Sequence, residues 1–185
     1  MLRKTGNERF INNNQEIEFS ILDFWQWSNS DLLNNSTRGK LAEFIVAMDL
    51  GITDKIRQEW ESYDLITSDG IKIEVKTSGY LQSWNQVKDS EIRFRIRPTL
   101  FWDSNTNTYD KESKRQSDYY VFCVLIHKDK DTVDPINLNQ WEFYVIKTIT
   151  LDEKFGEQKS INLSKLLKLN PLKCKFGEIR KIINS

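Results

Sequence analysis

The sequence contains few of the residues on which several common kinds of site depend. Its 185 residues include two cysteines and one histidine. Two cysteines provide neither a disulfide framework nor the ligand spacing of a zinc site, so we expect a reducing, cytoplasmic setting. The single histidine, His127, argues against Ser–His or Cys–His nucleophilic catalysis and against a histidine-rich zinc site.

A surplus of one charge and a long apolar run are also absent. Twenty-seven basic residues balance twenty-seven acidic ones, so any binding to nucleic acid has to come from a local patch. No segment approaches the roughly 18 apolar residues that a membrane span needs, so we expect no membrane partner. The length predicts a single domain over residues 1–185, with the polar residues 1–20 as a loosely attached lead-in.

The residue pattern predicts an α/β domain with a central mixed sheet. Capping residues predict a helix from about residue 37 to 50, because Asn34 and its neighbours offer N-caps and Gly51 offers a C-cap. Two β-rich runs, 60–67 and 71–78, predict a hairpin. The other predicted elements are a helix packed on the core or a buried strap over the aromatic-rich residues 21–33, a half-exposed strand over 91–97, a central strand over 119–126, a strand over 141–146 and a short helix over 163–169.

The hairpin brings candidate catalytic residues together. Alternation along its second strand places Glu74 and Lys76 side by side, on the face opposite the apolar side chains. A three-residue loop over residues 68–70 then sets Asp64 directly opposite Glu74. We prefer this register because a two-residue loop would oppose apolar and polar side chains along the whole hairpin.

Two opposed carboxylates have Cβ atoms about 5 Å apart and are destabilising unless something neutralises them. A hard cation such as Mg²⁺ or Mn²⁺ would do so, since it prefers oxygen ligands and keeps positions open for water and phosphate. Lys76 would then hold or help deprotonate the attacking water. The alternative is that these are ordinary hairpin charges, with Glu74 paired to Lys72 or Lys76 on a solvated face.

Glu43 lies on the predicted helix with apolar residues on nearly every side, a pattern typical of a buried helix. An isolated buried carboxylate is costly, so Glu43 should have a cationic partner or should contact the metal or its water. The alternative is a surface ion pair with Lys40 or Arg38.

The order of these residues resembles the core of the PD-(D/E)XK nuclease superfamily, whose fold is called restriction-endonuclease-like. The resemblance covers roughly residues 37–126, although Tyr63 stands where many members have a proline. Residues 23–47 are also similar to stretches of uncharacterised bacterial proteins of this superfamily. The matching site residues are Glu43, Asp64, Glu74 and Lys76.

The resemblance implies a central mixed sheet flanked by helices and a Mg²⁺-dependent or Mn²⁺-dependent nuclease that hydrolyses phosphodiester bonds. In that family the helix glutamate, the hairpin aspartate and the E-x-K residues are catalytic. Glu43, Asp64 and Glu74 would therefore bind the metal, beside Lys76. DNA is favoured over RNA as the substrate by family habit alone.

Five residues outside this group are candidate contacts to nucleic acid. Trp84 would stack on a base and Gln82 would make a polar contact, whereas Arg93 and Arg95 form a one-sided basic stripe and Gln116 precedes the central strand. The alternatives are that Trp84 belongs to the core and that the arginines lie on an ordinary exposed strand face.

Two other functions remain open from the sequence. The first is a non-catalytic nucleic-acid-binding or scaffold domain that keeps the fold, against which the intact carboxylate and lysine set argues. The second is a protein-interaction module, which exposure of Trp25 and Trp27 would favour. The sequence is also compatible with a homodimer.

Overall fold

The computed structural model describes residues 2–59, 61–100, 102–103 and 108–185. The described strands are β1 (Arg9–Asn12), β2 (Gln15–Ser20), β3 (Leu65–Ile66), β4 (Lys72–Gly79), β5 (Arg93–Arg95), β6 (Trp102–Asp103), β7 (Thr108–Tyr109), β8 (Tyr119–Leu125), β9 (Trp141–Lys147), β10 (Ser160–Asn162) and β11 (Leu172–Cys174). The described α-helices are α1 (Ile21–Asn29), α2 (Asn35–Leu50), α3 (Thr148–Phe155), α4 (Leu163–Leu167) and α5 (Ile179–Ile183).

Five strands form a mixed sheet in the order β11-β9-β8-β4-β3. Strands β4 and β8 run parallel, and the other neighbouring pairs are antiparallel. The prediction of a central strand near residues 119–126 is confirmed, because β8 lies in the middle of the sheet and is buried on both faces. The predicted mixed sheet flanked by helices is therefore present.

Side chains of β8 alternate between two apolar clusters. Val121 and Cys123 pack into a cluster that contains residues of α2 and α5, whereas Phe122 and Val124 pack into one that contains residues of β5, β10, α3 and α4. Strand β4 contributes Ile73 and Val75 to the first cluster. Glu74 and Lys76 therefore project from the opposite face of the same strand.

The predicted hairpin register is confirmed along β3, although the ladder does not extend to a pair of Asp64 with Glu74, because the Asp64 amide donates to the Ile73 carbonyl. Leu65 pairs with Ile73 and Ile66 with Lys72, and the Thr67 amide donates to the Ile71 carbonyl at 3.0 Å around a three-residue loop. Gly70 closes this loop with a φ of 85°, a value that favours glycine. Strand β3 is shorter than the predicted run 60–67, and Trp60 lies outside the described residues.

Helix α2 begins and ends close to the predicted residues, with Asn34 as its N-cap and Gly51 in the left-handed conformation at its end. The prediction that this helix is covered on nearly all sides is wrong. Phe44 and Met48 are exposed, because the apolar cluster on the sheet covers only the face that carries Ala42, Ile45, Val46 and Leu50.

The N-terminal segment has more regular structure than a lead-in. Strands β1 and β2 pair as a hairpin whose turn residues, Asn13 and Asn14, both have positive φ, a conformation that asparagine tolerates. Helix α1 follows, with Ser20 and Asp23 forming a capping box. A helix over the aromatic-rich segment is therefore confirmed, but its predicted packing on the core is wrong, because no residue of α1 is buried.

The half-exposed strand predicted over residues 91–97 is present in shorter form as β5. Its apolar neighbours Ile92, Phe94 and Ile96 are buried, as the alternation predicted. It pairs with β10 in a separate two-stranded sheet and not with the central one. Among the helices of the described part of the chain, none has the length and apolar character to span a membrane.

Candidate active site

Strand β4 brings Glu74 and Lys76 into contact. The Lys76 ammonium donates to Oε1 of Glu74 and lies 4.0 Å from Oδ2 of Asp64. These three side chains are only 26%, 19% and 21% exposed for Lys76, Glu74 and Asp64. The structure therefore places the three hairpin residues together in a largely enclosed position.

Asp64 is oriented by the backbone of β4. Its amide donates to the Ile73 carbonyl at 3.1 Å, and its Oδ2 accepts a hydrogen bond from the Val75 amide at 2.8 Å. The carboxylate thus accepts a hydrogen bond from β4 just beyond the pair of Leu65 with Ile73, where the β3–β4 ladder ends. This contact holds Asp64 beside Glu74 and Lys76.

Glu43 of α2 is paired with an arginine that the sequence reasoning did not consider. Arg57 Nε lies 2.5 Å from Glu43 Oε2, and Arg57 Nη2 lies 3.0 Å from Oε1, so the guanidinium engages both carboxylate oxygens. Arg57 belongs to the irregular segment between α2 and β3. No pattern in that polar segment marks it, and only the need of Glu43 for a cation gives a hint.

The proposed pairing of Glu43 with Lys40 or Arg38 is wrong, because Arg57 takes that place. Arg38 is buried near the start of α2 and donates to the Leu33 carbonyl and to Oδ1 of Asn35. Burial lowers the pKa of its guanidinium from the ordinary value. Arg38 therefore supports the fold away from the carboxylates.

The acidic cluster, defined as Glu43, Asp64 and Glu74, carries three carboxylates beside the two cations Lys76 and Arg57. Burial raises the pKa of Glu74, and Asp64 and Glu43 add to this rise while Lys76 opposes it. Burial also raises the pKa of Glu43 against the hydrogen bond from Arg57. The negative charges are thus imperfectly neutralised.

The lysine responds in the opposite sense. Burial by itself would lower the pKa of Lys76, but the charges of Glu74, Asp64 and Glu43 outweigh it and raise the pKa above the ordinary value. Lys76 is therefore protonated at neutral pH in the cation-free protein, and its positive charge offsets part of the negative charge of the acidic cluster.

Two cavities meet at Asp64. The larger, about 570 Å³, lies between the first residues of the chain, α2 and the segment before β3, and its wall includes Glu43, Arg57 and Asp64. The smaller, about 240 Å³, has Glu74 and Asp64 in its wall. The basic residues that line the larger cavity are Arg3, Lys4, Lys40, Lys55 and Arg57.

The donor chemistry of the acidic cluster suits a hard divalent cation, because three half-enclosed carboxylates supply oxygen ligands and an excess of negative charge. The present side-chain geometry does not assemble them. Within the described ranges, no group of three or more His, Cys, Asp or Glu side chains is close enough to hold a metal ion. Arg57 and Lys76 instead occupy carboxylate oxygens of Glu43 and Glu74.

The residues expected to contact nucleic acid differ in their exposure to solvent. Trp84 is exposed, as are Arg93 and Arg95 on β5. Arg93 pairs with Glu91 at 3.0 Å. Gln116, another expected contact, donates through its side-chain amide to the carbonyl of Thr99 at 3.3 Å, and Thr99 lines the smaller cavity.

Gln82 is the exception, because it is buried and its side chain is used within the protein. Its Nε2 donates to the Gly79 carbonyl at 3.0 Å, and its Oε1 accepts from Arg38 at 3.3 Å. This side chain fixes the turn after β4 and does not face solvent, so the expected contact from Gln82 to nucleic acid is not supported.

The aromatic N-terminal residues are exposed, as expected for a protein-interaction surface. Trp25 is partly exposed and Trp27 is 85% exposed.

That two copies of the chain form a homodimer stays a prediction.

Comparison with known protein families identifies the family of the chain. The family model described as Bacteriophage T4 endonuclease IV matches residues 4–165, and the chain belongs to this family. The match contains α2, the hairpin, β4 and β8, and with them Glu43, Asp64, Glu74, Lys76 and Arg57. A comparison with curated proteins found no match. Membership in an endonuclease family supports a nuclease that acts on nucleic acid.

Proposed function

We propose that the protein is a divalent-cation-dependent nuclease of the PD-(D/E)XK type, with Glu43, Asp64, Glu74 and Lys76 as its catalytic residues. The observation that carries this proposal is the position of Lys76, which contacts Glu74 and approaches Asp64 from the same strand. Burial and mutual repulsion make this cluster receptive to a cation.

The chain's own residues would have distinct parts in phosphodiester hydrolysis. Asp64, held by the Val75 amide, and Glu74 would bind Mg²⁺ or Mn²⁺, with Glu43 as a third ligand. The bound cation would polarise the phosphate and lower the pKa of a bound water. Lys76 would hold the attacking water and offset the negative charge that develops on the phosphate.

The restriction-endonuclease-like fold belongs to the same proposal. Its support is the chain order of a helix with Glu43, a hairpin with Asp64, a strand with Glu74 and Lys76, and a parallel central neighbour, β8. DNA is the proposed substrate, and exposed Trp84, Arg93 and Arg95, together with Gln116, are its proposed contacts.

Thermal melts and cleavage assays of wild type and Asp64→Asn test the site. Mg²⁺ that binds only the folded state stabilises it by about 2.7 kcal/mol at 100 times its Kd. We expect this stabilisation, and cleavage of DNA with Mg²⁺ or Mn²⁺, in wild type and neither in Asp64→Asn. A Mg²⁺-dependent rise in melting temperature that is equal in both proteins would contradict a metal site at Asp64.

The same assays separate the enzyme from the alternative of a non-catalytic nucleic-acid-binding or scaffold domain. Parallel DNA and RNA substrates identify the nucleic acid, and binding of either without cleavage by wild type would favour the alternative. Cleavage that is equal in wild type and Asp64→Asn would indicate another site or a contaminating nuclease.

A further inference from the structure

The ion pair between Arg57 and Glu43 is unlike the other charge contacts of the acidic cluster. Two guanidinium nitrogens meet the two oxygens of one carboxylate, at 2.5 and 3.0 Å, which is the strong fork geometry of arginine. Glu43 is 12% exposed, whereas Arg57 is 36% exposed. The arginine therefore covers an inward carboxylate from the solvent side.

This contact competes with metal binding. Lys76 engages one oxygen of Glu74 and the Val75 amide engages one oxygen of Asp64. Of these three contacts, that of Arg57 engages both oxygens of its partner, so a cation that approaches either oxygen of Glu43 meets the positive charge of the guanidinium. A divalent cation and the guanidinium repel each other, so binding of the cation to Glu43 favours release of Arg57.

Arg57 has a second partner and a route away from Glu43. Its Nη1 lies 3.1 Å from Oε1 of the exposed Glu59. It also lines the 570 Å³ cavity beside Lys40 and Lys55. After release from Glu43, the guanidinium would keep one carboxylate contact and would face a cavity whose wall carries more basic than acidic side chains, the acidic ones being Glu43, Glu61 and Asp64. This excess of positive charge suits an anionic ligand.

We propose that Arg57 is a latch that neutralises Glu43 in the cation-free protein, is displaced when a divalent cation binds, and then contacts a phosphate of the nucleic acid. The proposal rests on the proposed function, since it requires a cation at the acidic cluster. It makes Arg57 a link between cation binding and substrate binding.

Metal binding without substrate gives the first test. Free Mn²⁺ is measured by electron paramagnetic resonance in titrations of wild type, Arg57→Gln and Arg57→Lys. We expect Arg57→Gln to bind Mn²⁺ about 3- to 10-fold more tightly, because no ion pair has to be broken. Arg57→Lys should fall between the two, since it keeps the charge but loses the fork.

Lys55→Gln is the matched control. It removes the same charge from the same segment and cavity wall, and among the described residues the ion-pair partner of Glu43 is Arg57 and not Lys55. Its Mn²⁺ affinity should match that of wild type. Equal tightening in Lys55→Gln and Arg57→Gln would overturn the latch, because it would show a general effect of charge. Unchanged or weaker Mn²⁺ binding in Arg57→Gln would overturn it as well.

Nucleic-acid binding gives the second test. With Ca²⁺ in place of Mg²⁺, a fluorescent oligonucleotide should bind Arg57→Gln several-fold more weakly than wild type, while with EDTA the two proteins should bind it equally. A difference of the same size under both conditions would overturn the coupling, because Arg57 would then contact phosphate whether or not a cation is bound.

The outcomes distinguish this proposal from the proposed function. If Asp64→Asn abolishes Mn²⁺ binding and Arg57→Gln leaves it unchanged, the metal site stands and the latch fails. If wild type binds no Mn²⁺, both fail. Circular dichroism of each variant checks folding, and Arg57→Lys carries the test if Arg57→Gln does not fold.

Discussion

The acidic cluster has a strand end, where Glu74 of β4 is paired with Lys76, and a helix end, where Glu43 of α2 is paired with Arg57. Lys76 lies two residues from Glu74 on the same strand, whereas Arg57 lies fourteen residues along the chain from Glu43. The first contact is built into a strand that pairs with β3 on one side and β8 on the other. The second arises from an irregular segment. Sheet pairing therefore holds the backbone of Lys76, whereas no strand pairing holds the backbone of Arg57.

In the proposed mechanism, this difference would give separate tasks to the two cations. A cation needed in the reaction benefits from a rigid position, because positive charge must already be in place where negative charge develops. A cation that has to make way for a metal benefits from a segment that no strand pairing holds. Substitutions at the two ends should therefore affect different measurements.

Lys76→Ala, at the strand end, should have the largest effect of the substitutions considered. If Lys76 positions the water and offsets transition-state charge, its loss should reduce the cleavage rate by roughly 10²- to 10⁴-fold. Binding of Mn²⁺ should survive, since Asp64 and Glu74 remain. The measurements are single-turnover cleavage and Mn²⁺ titration of the same preparation.

Lys72→Ala is the matched control for this prediction. Lys72 lies on the same face of β4, two residues before Glu74, but its ammonium sits over the Tyr63 ring at 5.2 Å. The ion pairs of Asp64 and Glu74 in the described part of the chain are with Lys76. Cleavage by Lys72→Ala should stay near that of wild type. Equal losses in the two variants would show that β4 requires its charges for folding or for substrate attraction and not for chemistry.

The next largest effect is expected in the hairpin turn, whose geometry positions Asp64 at the strand end. A side chain at Gly70 meets nothing within 4 Å, but the φ of 85° strains any L-residue, so Gly70→Ala should lower the free energy of unfolding by about 1 to 2 kcal/mol. Gly39→Ala also has open space and an ordinary helical φ, and should raise it by about 0.5 to 1 kcal/mol.

Urea unfolding of both glycine variants checks this prediction. Because the turn sets the register that brings Asp64 to β4, Gly70→Ala should also lose cleavage activity if the hairpin slips. A Gly70→Ala protein that is as stable as Gly39→Ala would contradict the turn geometry.

The sequence allowed the strand end to be predicted because its information is local. Alternation places Glu74 and Lys76 on one face whatever surrounds the strand, and matching the apolar faces of the hairpin selects one register for Asp64. The central position of β8 followed from its unbroken apolar run for the same reason.

The helix end was not predictable in this way. The partner of Glu43 depends on the path of a segment without periodicity, where Lys55 and Arg57 are equal candidates by sequence. The exposure of Phe44 and Met48 on α2 depends on how far the apolar cluster of the sheet extends. The Asn13–Asn14 turn is a local signal that could have identified the N-terminal hairpin, because asparagine is enriched at positive φ.

The smallest expected effect is the pH dependence of stability at the strand end, because Lys76 offsets part of the effect of burial. Burial raises the pKa of Glu74 above its ordinary value of 4.5 in the folded protein. Below that value the carboxyl is protonated in both states. As the pH rises from there through the raised pKa, the unfolded chain ionises first, so cation-free wild type should lose stability relative to Glu74→Gln.

Urea unfolding in EDTA between about pH 4.5 and 7 measures this difference. With saturating Mg²⁺ its direction should reverse, because a bound cation favours the ionised carboxylate and holds the pKa of Glu74 below the ordinary value. Wild type should then gain stability over Glu74→Gln as the pH rises. The same slope with EDTA and with Mg²⁺ would mean that no cation reaches Glu74, and the strand end would be an ion pair of the fold alone.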